Sequence, residues 1–73
     1  MSNQIERILS ISTESKRIEV NQHSIQQSSL EVILIKNNRH YCTVWTAPHR
    51  VDALIVEFLA QGALTDFSSL TVI

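Results

Sequence analysis

Cys42 is the only cysteine in the chain, with His40 two residues before it and His49 a few residues after it. A thiol becomes a nucleophile only as thiolate, which a nearby cation, helix N-terminus or base stabilises. On a strand, His40 and Cys42 share a face, and a helix starting near Pro48 would bring His49 close. Cys42 is therefore the one candidate catalytic residue. Its competing reading, and the preferred one, is a small buried hydrophobe between Tyr41 and Val44. His40, Cys42 and His49, with Asp52 or His23 as a fourth ligand, offer zinc-type donors. Their spacing is not a paired zinc signature, and no metal is expected. Thr46-Ala47-Pro48-His49-Arg50 combines a hydroxyl, a helix N-terminus and a cation, groups that hold phosphate or carboxylate. Thr46, His49 and Arg50 are accordingly the candidate ligand-binding residues, against the plainer reading of a capped helix with a solvated Arg50.

Other chemistry is subtracted quickly. Tyr41 and Trp45 fall on one strand face with Thr43 between them, a spacing that can stack bases, but basic neighbours are missing. A small core or a partner interface explains these aromatics better. Asp52 and Glu57 do not face each other on a helix, so they form no acid/base pair. Gly62 is the single glycine, which excludes a glycine-rich phosphate loop and a Gly-x-Ser-x-Gly elbow. Six basic against seven acidic residues give a net charge of −1, and Lys16-Arg17 is the one adjacent basic pair. That balance argues against nucleic acid, whose binding rests on phosphate neutralisation. No cofactor is expected.

These residues need elements to hold them. Ile5, Leu9 and Ile11 alternate with Ile8, as on a strand, although Ile5, Ile8 and Leu9 also fit helical spacing. Ser12 to Lys16 is turn-like, and Arg17 to Val20 returns as a second strand of a hairpin. Asn21 to Ser29, rich in Gln and Ser, reads as a loop or irregular edge. Leu30 to Ile35 is apolar on both parities, which predicts a central strand covered on both faces. Asn37-Asn38 suits a tight turn, because Asn tolerates positive φ. On the returning strand, His40, Cys42, Val44 and Thr46 take one face, and Tyr41, Thr43 and Trp45 the other.

Pro48 is well placed in a first helical turn, capped by Thr46 or Ala47, with Thr46 the better cap. Val51, Leu54, Ile55 and Phe58 then form one apolar stripe, while Arg50, Asp52, Glu57 and Gln61 keep to the other side. Gly62 predicts a left-handed helix end. Leu70 to Ile73 reads as a short closing strand. The order is ββ–ββ–α–β.

Seventy-three residues allow one domain, near the lower size at which a core suffices, so a partner or second copy would help stability. The lone Cys42 forms no intrachain disulfide, Met1 to Gln4 starts no secretory signal, and no stretch is long and apolar enough to span a bilayer. A cytoplasmic protein is expected, with no membrane partner.

From Leu30 onward the chain resembles the N-terminal region of the formate dehydrogenase accessory sulfurtransferase (FdhD) family. Members carry a strand, a short Asn-Gly turn, a strand ending in Thr-Pro, and a helix of the type Leu-Ala-x-Gly-Phe-Leu-x-x-Glu-Gly. Here Leu30 to Ile35, Asn37-Asn38 and Tyr41 to Thr46 occupy the first three parts. Pro48 matches if Ala47 counts as inserted, Leu54, Phe58 and Leu59 keep their spacing from Pro48, and Gln61-Gly62 resembles the Glu-Gly ending one residue early. Glu57 replaces the helix glycine, and His49-Arg50-Val51 replaces the acidic linker. Cys42 does not correspond to the family's paired cysteines, so sulfur transfer is not implied. The resemblance implies a shortened module that associates with a larger enzyme or with a pterin or nucleotide ligand.

The whole chain, residues 1–73, is thus expected to be a single small α+β domain: a mainly antiparallel sheet of four or five strands with one helix packed on one face. Its expected role is a non-catalytic binding or accessory module acting through protein–protein contacts at the Thr46–Arg50 turn and the strand beside it. The alternatives are a homo-oligomeric structural protein and a small thiol-dependent protein using Cys42.

Overall fold

The computed structural model of the chain describes residues 4–64. Four strands, β1 (Ile5–Ser12), β2 (Lys16–His23), β3 (Gln26–Lys36) and β4 (Arg39–Thr46), form one antiparallel sheet in the order β1-β2-β3-β4. A 3₁₀ turn over Pro48–Arg50 then leads into the helix α1 (Val51–Gln61). The small α+β architecture is as the sequence predicts, and the closing strand expected over 70–73 lies outside the described residues.

The helix forms where its apolar stripe can be buried. Val51, Leu54, Ile55 and Phe58 are all buried, Phe58 completely. They lie on Ile18, Val20, Leu30, Val32, Leu34 and Val44, which come from alternate positions of β2, β3 and β4 and so define the inner face of the sheet. Burying Leu54, Ile55 and Phe58 contributes ~1.5–3 kcal/mol each as an upper figure. Gly62 ends the helix in the left-handed region at φ 70, with its N–H donating to the Phe58 carbonyl. Asn37 and Asn38 both adopt positive φ, 54 and 64, the signature of a type I′ turn matched to strand twist.

Three expectations are corrected. The segment from Asn21 to Ser29 is not a loop: β2 continues to His23 and β3 starts at Gln26, with Ser24 and Ile25 as the turn between them. Polar side chains hold this part together. Gln22 donates to the Gln26 carbonyl at 3.0 Å, and the Ser24 N–H donates to Gln4 O at 2.9 Å. Intrinsic strand propensity loses here to cross-strand bonding.

The stretch Leu30 to Ile35 is central but not covered on both faces. The helix covers Leu30, Val32 and Leu34, whereas Glu31, Ile33 and Ile35 point outward and are only half-buried. Finally, the faces of β4 change at its start. Ile35 stands opposite His40 and Leu34 opposite Cys42, so Tyr41 is a bulged extra residue. Parity before the bulge is reversed. His40 joins the outer face with Ile35, while Tyr41 turns inward to Phe58, ring centroids 5.5 Å apart. A second bulge at Ile8 acts likewise in β1: Ile5 stands opposite His23 and Leu9 opposite Val20, on different faces of the sheet.

Candidate functional site

The bulge at Tyr41 decides the fate of Cys42. His40 lies on the other face, where its ring Nε2 is 2.7 Å from Thr43 Oγ1. Cys42 instead faces Leu34 and packs against the core, half-buried. Burial pushes its thiol up, because desolvation penalises the thiolate. The strand therefore separates the residues that the spacing brought together. His40, Cys42 and His49 do not converge, and no group of three potential metal ligands gathers among the described residues.

The Thr46–Arg50 turn is only partly a surface. Thr46 is fully buried on the inner face opposite Leu30, and its hydroxyl oxygen has no hydrogen-bond partner among the described residues. It caps nothing. The cap of the 3₁₀ turn falls on Ala47, whose side chain cannot accept a hydrogen bond. His49 and Arg50 are exposed, so they alone of the three candidate ligand-binding residues present side chains to solvent there.

Two surfaces stand out that spacing did not single out. The first is the outer face of the sheet, which carries a cross-strand polar and aromatic network. Glu31 accepts from Asn21 Nδ2 at 3.3 Å and lies 2.8 Å from His23 Nε2. The His23 ring packs on Trp45 with centroids 4.7 Å apart. Arg7 donates to Asn21 Oδ1 at 3.4 Å and to Glu19 at 3.3 Å. Register places these groups together: Asn21 is opposite both Arg7 and Glu31, and Glu31 is opposite Trp45. Asn21 is only 5% exposed, which shows how closely its neighbours enclose it. The signal in the sequence was the alternation running on through Glu19, Asn21 and His23, hidden by their poor strand propensity.

The second surface is the edge strand β1. It pairs with β2 and has no other strand beside it among the described residues. All its residues except Ile11 are exposed. Ile5, Ile8 and Leu9 retain 60%, 52% and 40% of their accessible surface, an unusual concentration of large apolar side chains on a strand edge. Leu9 lies on the inner face, but α1 stands over β3, leaving Leu9 open. An edge strand offers unpaired N–H and C=O groups as a template for another chain, and proteins that avoid this place charges there. Glu6 and Arg7 are the charged residues of β1, and Arg7 is turned to Glu19 on β2.

No family model, curated protein or solved structure compared with this chain matches it, and none links it to the formate dehydrogenase accessory family. No helix among the described residues is long and apolar enough to cross a membrane.

Proposed function

We propose that this protein is a non-catalytic binding module that adds an extended segment of a protein partner to the free edge of β1. The carrying observation is the edge itself: backbone groups with no strand beside them among the described residues, flanked by exposed Ile5, Ile8 and Leu9. Strand addition needs no catalytic group. Main-chain hydrogen bonds supply affinity, and alternate side chains supply selectivity. Of the surfaces expected from the sequence, the edge-pairing mode is kept, and β1 replaces the Thr46–Arg50 turn as its seat.

Self-association through the same edge is the second reading, because an edge that accepts a foreign strand accepts its own copy as well. Sedimentation equilibrium at micromolar concentration separates the two. A monomer supports partner binding. A dimer that Ile8→Lys converts to monomer supports the homo-oligomer. For the partner reading, a photoreactive residue at position 8 should crosslink one defined protein where the same residue at exposed position 56 does not. Equal crosslinking from both positions would contradict docking at β1.

A further inference from the structure

Hydrogen bonds at the two ends of β1 fix which of its backbone groups look away from the sheet. The Ser24 N–H donates to Gln4 O at 2.9 Å, and the Thr13 N–H donates to Lys16 O at 2.8 Å. In an antiparallel pair this direction alternates residue by residue. Counting from Gln4, Glu6 faces β2, and Ile5 and Arg7 face outward. Counting back from Thr13, Ile11 and Leu9 face β2, and Ser10 and Ser12 face outward. The two counts fall out of step by one residue, at the bulge between Arg7 and Leu9. The edge is therefore two short ladders, and a regular extended segment can follow one of them but not both.

The ladder at Ser10 and Ser12 is the one backed by the core. Two cross-strand rows cross the inner face and end here. One is Val44, Val32, Val20 and Leu9, and the other is Cys42, Leu34, Ile18 and Ile11. Their β2 and β3 members are buried, whereas Leu9 is exposed and Ile11 half-buried. Both rows stay apolar up to the edge and stop there without a neighbour among the described residues. Between them, on the outer face, Ser10 stands opposite Glu19. The guanidiniums of Arg7 and Arg17 lie 3.3 and 3.8 Å from that carboxylate, so two cations share one anion beside Ser10. The ladder at Ile5 and Arg7 differs, because its inner-face residue is Glu6, opposite Gln22.

We propose that the partner segment adds an extended tripeptide of apolar–acidic–apolar pattern to the Ser10–Ser12 ladder. Its two apolar side chains lengthen the inner rows beside Leu9 and Ile11, and its carboxylate lies beside Ser10 and the two guanidiniums. β2 already presents this pattern to the other side of β1, as Ile18-Glu19-Val20. The pattern reads alike in both chain directions, so it serves parallel and antiparallel addition equally. A second copy offers Leu9-Ser10-Ile11 at its own edge, which lacks the carboxylate. This inference rests on the strand-addition reading and narrows it to one partner chemistry.

The test is NMR titration of the ¹⁵N-labelled protein with capped heptapeptides, carried to millimolar concentration at constant ionic strength. Thr-Thr-Ile-Glu-Val-Thr-Thr should give saturable shifts centred on Ser10 and Ser12 and should slow the exchange of both amides. Replacing its Glu by Lys should weaken binding about tenfold, the value of one charge-assisted contact. Replacing its Ile and Val by Ser should abolish saturation. Leu9→Ser, at an exposed side chain, should weaken binding of the parent peptide, and an otherwise unchanged spectrum reports that the variant folds. Equal binding of all three peptides at β1 would overturn the partner chemistry and leave strand addition standing. Shifts centred on Ile5 and Arg7, or no saturable shift at any β1 amide, would also overturn the proposal. The docking reading is decided separately, by the crosslink at position 8.

Discussion

Desolvation favours the neutral form of the Cys42 thiol, and the bulge at Tyr41 sends the nearest candidate base, His40, to the other side of the sheet. Alkylation of the folded protein should therefore be slow and should rise with pH only above the range of a free thiol, as measured against the same protein in denaturant. The sign follows from linkage: a folded-state pKa above the unfolded one stabilises at neutral pH and below, and that contribution is lost as pH climbs through the raised value. A fast, low-pH reaction would restore the thiol-dependent reading. Thr46 tells a similar story of a polar group turned inward. Its hydroxyl, without a partner among the described residues, carries a desolvation penalty, so Thr46→Val should be neutral or stabilising by about 1–2 kcal/mol in denaturant unfolding. Destabilisation of that size would mean that the hydroxyl has a partner, and would revive Thr46 as part of a ligand site.

At the scale of elements, the Asn37-Asn38 turn and the helix were legible, whereas the Ser24-Ile25 turn and the faces of the strands were not. Gly62 and the Asn37-Asn38 pair announce themselves because few residue types accept positive φ, and all three adopt it. Gly62→Ala should cost about 1 kcal/mol or somewhat more, since φ 70 strains any side chain and the new Cβ would come 3.3 Å from Lys36 Nζ. Thermal unfolding checks this, and no loss would mean that the helix ends elsewhere. The stripe from Val51 to Phe58 was equally plain, because a period near four has no rival reading over that length. Strand faces are read by parity, and one inserted residue reverses everything on one side of it. The bulges at Ile8 and Tyr41 therefore moved Ile5, His40 and Tyr41 to unexpected faces. The extension of β2 through Asn21 to His23 was hidden for another reason: its stabilising bonds come from Arg7 and Glu31, distant in sequence.

For the molecule as a whole, the arrangement is lopsided. One helix covers the inner-face residues of β2, β3 and β4, while β1 holds large apolar side chains at an edge that is free among the described residues. A domain of this size has little stability to spare, and an uncovered edge of this kind is also a hazard for uncontrolled self-pairing. Its retention fits a surface made to be covered. Native-state hydrogen exchange resolved by residue tests this most directly. In the isolated monomer, β1 amides directed at β2 should be protected and those directed outward should exchange almost freely, whereas β3 should be protected at every position. Uniform protection along β1 in the monomer would show that the edge is already covered, and would contradict the account.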